Sequence, residues 1–353
     1  MVMSSMAPAS LPFVTADLPG TGGTIKAEPD HFVVEEVPLY PPAGHGEHLF
    51  VALTRSGRTT REVVAELAAY LQVRPDDIGY AGLKDRQARV TQVFSLPRVR
   101  MEQIEAAARA LALELHWATP HPTKLRPGHL LGNRFTITVM APEAPERAAP
   151  ILEALQQRGL PNFFGAQRFG RDGDNAERGL AILTGRCRAP GEKWLTRLFI
   201  SAYQAQLFNA YLTLRLQRGL FDRLLPGDLA KKTDTGGMFI VADAEAEQPR
   251  FARGEITFTG PIFGYDMWAP TEAAAALEAE ILATTPVRSA DWRRWRAAGN
   301  RRPGRLFLRP VELTCHPDRF ILRFFLPKGA YATVLLREVL KVEPGTLDEE
   351  SEA

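Results

Sequence analysis

The residues best suited to chemistry lie between Gly79 and Gln92, a segment that reads GYAGLKDRQARVTQ. Its glycine-containing turn carries Asp85 between Lys84 and Arg86. Two flanking cations favour the ionised form of a carboxylate, and an ionised carboxylate near an electrophilic carbon is a candidate nucleophile. A solvated surface position explains an aspartate in a loop equally well, because charged side chains are seldom buried without a partner. Composition alone leaves both interpretations open.

The elements around this segment are predicted from hydrophobic periodicity, and they mix helices with strands. A helix beginning at Thr59 or Thr60 carries one apolar stripe, and alternating residues indicate strands on both sides of the Asp85 segment. The other predicted elements are strands at His48–Thr54, Val90–Leu96, Arg134–Met140, Phe307–Thr314 and Arg319–Leu326, and helices at Met101–Leu113, Ile151–Arg158, Trp194–Arg218, Ala273–Ala283 and Ala330–Leu340. The pattern therefore predicts an α+β fold.

Length and composition are those of an ordinary globular chain, with 353 residues, 45% hydrophobic and 24% charged. No apolar run approaches the roughly 18 to 20 residues that a membrane helix needs. The two cysteines, Cys187 and Cys315, have neither metal-ligand spacing nor the pattern of a disulfide framework. We therefore expect a cytoplasmic protein with no metal site and no membrane association.

Charge is distributed unevenly although the formal net charge is only +2. Eight arginines and a single acid, Asp291, occur between Arg288 and Arg309. Trp292 and Trp295 alternate with arginines in this stretch, a composition that suits phosphate pairing and base stacking. A solvated basic face is an equally valid interpretation.

Several strings of the sequence, taken in order, resemble the tRNA pseudouridine synthase D family. AGLKDRQARVTQ and NFFGAQRFG are the most specific, and the resemblance extends from about Gly22 to Leu340, nearly the whole chain. The strings besides the Asp85 segment are IKAEPDHFVVE at Ile25–Glu35, LGNRF at Leu131–Phe135, NFFGAQRFG at Asn162–Gly170, SAYQAQLFNAYLTLR at Ser201–Arg215 and FLPKGAYATVLLRE at Phe325–Glu338.

The resemblance implies a pseudouridine synthase core, with a mixed or antiparallel sheet and flanking helices, interrupted by a family-specific α+β insertion domain. We expect the chain to be divided into a flexible leader at 1–20, the N-terminal part of the catalytic core at 21–158, the insertion domain at 159–309, the C-terminal part of the core at 310–342, and an acidic disordered tail at 343–353.

The implied reaction converts a uridine of tRNA, usually the one at position 13, to pseudouridine. Uracil is detached, rotated and reattached through C5, so no cofactor is expected, and the base must be flipped into a pocket. The sequence contains no phosphate-binding loop and no dinucleotide fingerprint. We expect a monomer whose partner is tRNA. The alternatives are a non-catalytic RNA-binding or RNA-folding protein, and another RNA-modifying enzyme such as a methyltransferase.

The resemblance assigns the charged residues of the site. Asp85 is the expected nucleophile, attacking either the base or the sugar C1′. Lys84 is expected to support it, by keeping Asp85 ionised or by contacting a phosphate. Lys26 is expected near the substrate, paired with a phosphate or with the Asp85 region, although a solvated surface lysine is also compatible with the sequence. Arg168 is expected to contact RNA.

The remaining expected substrate contacts are aromatic or amide side chains. Phe32 matches a substrate-contacting phenylalanine of the family, and a core position in a strand is its alternative. Asn133 matches a substrate-binding asparagine that could read the uracil edge, or it is a turn residue. Phe135, on the same strand face as Asn133, either stacks on the base or belongs to the core. Tyr331 stands where the family has phenylalanine, so stacking should survive while its hydroxyl needs a partner if it is buried.

Overall fold

The computed structural model describes residues 11–342, and this part of the chain contains strands and helices throughout. Short 3-10 turns connect several of them. The strands are β1 Phe32–Pro38, β2 His48–Arg55, β3 Gly79–Tyr80, β4 Arg89–Pro97, β5 Glu114–His121, β6 Leu130–Met140, β7 Leu160–Pro161, β8 Leu229–Lys232, β9 Met238–Ile240, β10 Ile256–Ile262, β11 Asn300–Pro303, β12 Arg305–Leu306, β13 Glu312–Cys315 and β14 Arg319–Pro327. The helices are α1 Thr60–Leu71, α2 Met101–Ala110, α3 Ala148–Arg158, α4 Asn175–Leu183, α5 Lys193–Gln217, α6 Ala244–Ala252, α7 Glu272–Ala283, α8 Ser289–Arg294 and α9 Ala332–Leu340.

These elements form two compact units. Of the described residues, the sheet unit comprises Gly20–Ala149, Arg309–Ala332 and 339–342. The long-helix unit comprises 11–19, Pro150–Leu308 and Thr333–Glu338.

The sheet unit is built on one eight-stranded sheet, in the order β13-β14-β6-β1-β4-β2-β5, with β3 paired to β4. Strands β1 and β4 are parallel, whereas the other neighbours are antiparallel. The mixed sheet and its helices confirm the predicted α+β fold.

Packing on one face of this sheet explains where α1 and α2 lie. Their buried residues, among them Val63, Leu67 and Ile104, form a core with Val51 of β2 and Phe94 of β4. Helix α1 begins with a capping box, in which the N-cap threonine and the glutamate three residues later satisfy each other's backbone N–H groups. The start of α1 is therefore a fixed point beside the sheet.

The long-helix unit contains a four-stranded sheet, β11-β10-β8-β9, and the 25-residue helix α5. The apolar stripe of α5 is buried, as the sequence predicted for a core element, with Phe208 and Leu212 fully buried. Arg215 on the same helix is also fully buried, where its guanidinium pairs with Asp228 at 2.7 Å and donates to the Tyr211 hydroxyl at 2.8 Å. This unit thus has its own apolar core and a buried polar cluster.

The predicted leader lies partly, and the predicted tail wholly, outside the described residues. The first residues of the expected flexible leader, 1–10, and the expected acidic tail, 343–353, lie outside the described residues. Within residues 11–20, Val14 and Thr15 donate backbone hydrogen bonds to the Glu338 carboxylate at 2.8 and 3.2 Å, so this part of the expected leader is held by α9. Most of α3, assigned from the sequence to the catalytic core, lies in the long-helix unit, where Arg158 pairs with Asp17.

Across residues 11–342, no helix is both long enough and apolar enough to cross a membrane. The same residues contain no group of three or more His, Cys, Asp or Glu side chains arranged to hold a metal ion.

Candidate active site

Asp85 lies in the loop between β3 and β4, and its side chain is 31% exposed. Its Oδ2 atom forms a close ion pair with Nζ of Lys26, whose side chain is only 2% exposed. Lys26 has a backbone φ of 60°, a left-handed conformation that costs a residue with a side chain roughly 1 to 2 kcal/mol. A strained backbone that delivers a buried ammonium to an accessible carboxylate is typical of a functional position.

An aromatic layer lies directly beneath this ion pair. The Lys26 ammonium is 4.6 Å from the centre of the Phe32 ring. Phe32 meets Phe135 edge to face with ring centres 6.1 Å apart, and Phe135 stacks on Phe324 at 5.3 Å. Phe32 is 5% exposed and Phe135 8%, so most of each ring belongs to the core. Their burial agrees with the core alternative for both residues, and their contact with substrate stays a prediction.

Lys84 was expected to support Asp85, but its side chain contacts Asn133 and Glu36. Its Nζ donates to Oδ1 of Asn133 at 2.6 Å and lies 3.0 Å from Oε2 of Glu36, a contact close enough for an ion pair but not aligned as a hydrogen bond. Glu36 faces the core because it alternates with Phe32 and Val34 along β1, and its side chain is 1% exposed. A buried carboxylate needs a cation, and Lys84 supplies it.

Burial controls the protonation of this pair. Burial raises the pKa of Glu36, and the neighbouring Lys84 ammonium opposes that rise. Burial likewise lowers the pKa of Lys84, while Glu36 acts in the opposite direction. Arg55, also buried, has its pKa lowered to about 10 by burial. The buried charged groups Glu36, Lys84 and Arg55 thus lie close to one another beside the Asp85 loop.

Two buried side chains hold the backbone of the loop. Thr60, which is fully buried, accepts a hydrogen bond from the Lys84 N–H at 2.9 Å and another from the Arg55 guanidinium at 3.0 Å. The same hydroxyl donates to Oε1 of Gln92 at 3.0 Å, and Nε2 of Gln92 donates to the Gly82 carbonyl at 2.6 Å. The loop is therefore fixed on both sides of Lys84.

The start of α1 holds the other end of the loop. Arg86 pairs with the carboxylate of Glu62, the glutamate of the capping box. Glu62 accepts a hydrogen bond from the Thr59 backbone N–H at 2.7 Å. The pKa of Glu62 is lowered, and this hydrogen bond is the largest cause. Arg86 therefore braces the loop against a helix end, while Lys26 pairs with Asp85.

Three residues that sequence reasoning missed complete this arrangement: Glu36, Thr60 and Gln92. The signal for Glu36 was present, because a period of two along β1 places it on the same face as Phe32. Thr60 was considered only as a helix cap. Gln92 was only the last residue of the Asp85 string, and nothing local shows that it reaches back to a carbonyl ten residues earlier.

Two expected substrate contacts lie apart from this cluster in the chain. Tyr331 is half-buried and immediately precedes α9. Arg168 belongs to a 3-10 turn of the long-helix unit, 5.9 Å from the centre of the Phe164 ring. The substrate roles of both residues stay predictions.

One of the two tryptophans in the basic stretch from Arg288 to Arg309 is buried. Trp292 is 3% exposed and stacks on Tyr203 with ring centres 6.3 Å apart, so it is not an exposed platform for bases. Arg293 and Arg294 are exposed, and they end the short helix α8. Arg293 and Arg294, together with the half-buried Trp295, are therefore accessible to a partner, whereas Trp292 is not.

Comparison with known proteins places this arrangement in a family. The profile described as tRNA pseudouridine synthase D (TruD) matches residues 10–190 and 191–339. A tRNA pseudouridine synthase D from Thermus thermophilus is 45% identical over 337 residues, covering 95% of this chain and 94% of that one. One from Anaeromyxobacter sp. strain Fw109-5 is 44% identical over 339 residues, covering 94% and 96%. A crystal structure from Methanosarcina mazei, assigned to the same family, has a TM-score of 0.77 at 24% identity and covers 95% of this chain and 97% of its own; this similarity concerns the fold.

Proposed function

The chain belongs to the tRNA pseudouridine synthase D family, and we propose that it isomerises one uridine of tRNA, the one at position 13, to pseudouridine. Relatives named tRNA pseudouridine synthase D align with this chain over nearly their full length, which supports the proposal. The observation that carries the proposal is the partly exposed Asp85 carboxylate, paired with a buried lysine above an aromatic layer.

The proposed reaction exchanges one bond to the sugar for another. The Asp85 carboxylate attacks the uracil ring or the sugar C1′, the bond between C1′ and N1 breaks, and the freed uracil turns within the pocket. A bond from C1′ to C5 then forms, C5 loses its proton, N1 gains one, and Asp85 is released unchanged. Every atom of the substrate is retained, so the reaction needs no external oxidant or hydrolytic water.

Lys26 supports this role because its ammonium pairs directly with the Asp85 carboxylate and holds it in place. The aromatic side chains near it, Phe32 and Phe135, border the space that a flipped base would enter. Tyr331 is proposed to stack on the same base, in line with the phenylalanine that the family resemblance implies at this position.

Three arginines, two of them exposed and Arg168 half-buried, are proposed to bind the tRNA backbone. Arg168, Arg293 and Arg294 are the candidates, because guanidinium groups pair with phosphates in a sequence-independent way. A cytoplasmic location, a monomeric state and turnover without cofactor, all predicted from the sequence, are part of the same proposal.

The test uses purified protein and unmodified tRNA transcripts without added cofactor. Pseudouridine is mapped by carbodiimide labelling and primer extension, with Asp85→Asn as the variant and Asp76→Asn, an exposed aspartate nearby, as the matched control. We expect a single modified position with wild-type protein and Asp76→Asn, and none with Asp85→Asn despite unchanged tRNA affinity.

The second candidate function, RNA binding or folding without catalysis, draws on the exposed Arg293 and Arg294. Tight tRNA binding by wild-type protein with no pseudouridine at any position would favour it. Turnover retained by Asp85→Asn would instead remove Asp85 from the chemistry.

A further inference from the structure

The loop between β10 and α7 carries two exposed aromatic side chains. Tyr265 is 40% exposed and Trp268 is 46% exposed. Among the exposed large hydrophobic side chains of residues 11–342, four are aromatic, and the other two, Tyr70 and Trp194, lie on different helices. Single exposed apolar residues are ordinary, whereas neighbouring ones indicate an interaction surface. This loop is therefore a candidate for binding a partner.

The segment that follows α8 is joined to this loop by its backbone. The Tyr265 N–H donates to the Ala297 carbonyl at 3.1 Å, and the Gly299 N–H donates to the Asp266 carbonyl at 3.1 Å. The two backbones approach so closely that a Cβ atom on Gly264 would lie 2.1 Å from the Gly299 nitrogen. The aromatic loop and the end of the arginine-rich α8 are thus neighbours.

A buried amide from α5 holds both segments. Gln204 is 7% exposed, and its Nε2 donates to the Phe263 carbonyl at 2.6 Å and to the Ala298 carbonyl at 3.1 Å. One carbonyl belongs to each segment, so the amide couples them. A surface that is ordered before binding loses less conformational entropy when a partner arrives.

The charge of these two segments favours a polyanion. Together, 263–271 and 288–299 contain four arginines and two aspartates. One of these acids, Asp291, already accepts a hydrogen bond from the Arg288 backbone N–H at 2.8 Å. Arginine beside exposed aromatic rings is the combination with which proteins bind single-stranded nucleic acid. The aromatic–arginine surface is defined by five exposed residues: Tyr265, Trp268, Arg293, Arg294 and Arg296.

Arg296 occupies a backbone position that favours glycine. Helix α8 ends in a Schellman motif, in which the Ala297 N–H donates to the Trp292 carbonyl at 2.9 Å and the Arg296 N–H donates to the Arg293 carbonyl at 3.0 Å. The left-handed residue of this motif is Arg296, with a φ of 51°. Glycine adopts this conformation at lower energetic cost. Folding does not account for an exposed arginine here, whereas a partner for its side chain does.

We propose that the aromatic–arginine surface binds an unpaired segment of the RNA substrate, with bases stacked on Tyr265 and Trp268 and phosphates paired with the three arginines. This inference rests on the proposed function and adds a subsite for single-stranded RNA to it. A base within a duplex is stacked on both faces, so the surface selects unpaired nucleotides. Stacking tolerates any sequence, because every base has a π face.

Trp268→Ala tests the stacking. We expect the affinity for tRNA transcripts to fall roughly 5- to 100-fold, the effect of losing one stacked base, with no change in salt dependence because the indole carries no charge. Trp268→Phe should retain most of the affinity, and Trp268→Leu, which is apolar but not aromatic, should lose as much as alanine. The control is Trp194→Ala, an indole 44% exposed on α5 of the same unit, which should bind like wild type. Wild-type affinity in Trp268→Leu, or in Tyr265→Ala with Trp268→Ala, would overturn the proposal.

Tryptophan fluorescence identifies the stacked ring. The probe is a short oligoadenylate, which contains no uridine and so does not present the substrate base. Its binding should quench the fluorescence of the wild-type protein but not that of Trp268→Phe, and annealing the probe to a complementary strand should abolish the quenching. Equal quenching in Trp268→Phe, or equal quenching by the duplex, would refute stacking of unpaired bases on Trp268.

Arg296→Gly separates binding from folding. Glycine suits the left-handed backbone, so the urea midpoint should stay the same or rise, while the slope of log affinity against log salt should decrease by roughly 0.7 to 0.9 per lost phosphate contact. Arg98→Gly is the matched control, because Arg98 is also exposed and has a φ of 53°, and its slope should be that of wild type. A lower urea midpoint with an unchanged slope would show that Arg296 is structural and would remove it from the surface.

These outcomes are distinct from failure of the proposed function. Affinity, salt slope and fluorescence need no turnover, so they are measured whether or not pseudouridine forms. A wild-type protein that forms no pseudouridine but shows these differences would contradict the proposed function and leave the surface assigned to RNA. Normal pseudouridine formation without any of these differences would overturn this inference alone.

Discussion

Thr60→Val should release the loop that carries Asp85 while changing almost no volume. Valine matches threonine in shape, so the core around α1 is not expected to open. The substitution removes one hydroxyl that makes three hydrogen bonds, to the Lys84 N–H, the Arg55 guanidinium and the Gln92 amide oxygen.

The size of the effect follows from burial. Thr60 is fully buried, so water cannot replace the lost partners. A neutral hydrogen bond contributes about 1 kcal/mol net, and leaving a buried group unpaired costs about 1 to 3 kcal/mol. Arg55 keeps its hydrogen bond to the Arg58 carbonyl, so the loss of its bond to Thr60 contributes less to the destabilisation. We therefore expect the free energy of opening the loop to fall by about 3 kcal/mol.

Hydrogen exchange measures the free energy of opening the loop directly, because the Lys84 backbone N–H is one of the three groups bonded to the Thr60 hydroxyl. A decrease of about 3 kcal/mol in opening free energy corresponds to roughly 100-fold faster exchange at that amide. Pseudouridine formation should slow in parallel, since Asp85 is the next residue, while tRNA affinity should stay unchanged.

Two control variants make the test specific. Thr60→Ser keeps the hydroxyl and should restore slow exchange. Thr138→Val removes a threonine hydroxyl from β6 of the same sheet, 8% exposed and without a hydrogen bond in the described chain, and should change exchange at Lys84 very little. Unchanged exchange and unchanged activity in Thr60→Val would refute the reasoning that the buried hydroxyl holds the loop.

Three further predictions concern other parts of the molecule. Asp228→Asn should destabilise the protein by about 3 to 5 kcal/mol, measured by urea denaturation, because it removes the charge that pairs with the fully buried Arg215; an unchanged urea midpoint would contradict this. Burial lowers the pKa of His121 in the folded protein below its usual value of 6.5. The stability contributed by the neutral ring is therefore complete above pH 6.5 and is lost as the pH falls through the pKa of the folded state. The decrease in the free energy of unfolding between pH 7.5 and 5.5 should be smaller in His121→Gln. Arg293→Glu with Arg294→Glu should weaken tRNA binding and flatten its dependence on salt, and an unchanged salt slope in filter binding would remove both residues from the interface.

Local pattern was enough to predict several elements of the sheet unit, but not β5 at Glu114–His121. The predicted strand over His48–Thr54 is observed as His48–Arg55, and the predicted strand over Val90–Leu96 as Arg89–Pro97. Both strands are buried along most of their length, which agrees with the short apolar runs visible in the sequence. The predicted helix over Met101–Leu113 ends earlier, at Ala110.

Long-range pairing could not be predicted in the same way. Asp85 stands between two cations in the sequence, yet Lys84 pairs with Glu36, Arg86 with Glu62, and the cation at Asp85 is Lys26. Which charges meet depends on strand register and on how the loop turns, and neither is encoded in neighbouring residues. Trp292 shows the same limit, because nothing in its surroundings indicates that it packs on Tyr203.

The strand order of the main sheet has a consequence for synthesis on the ribosome. Strand β6 lies between β1 and β14, and the whole long-helix segment separates β6 from β14 along the chain. At typical rates of about 5 to 20 residues per second, roughly 10 to 40 seconds pass between the synthesis of β6 and that of β14. During that interval β6 is an unpaired sheet edge, the kind of surface on which nascent chains aggregate. The residues around Asp85 are thus made early, but the sheet that supports them closes only when translation reaches β14.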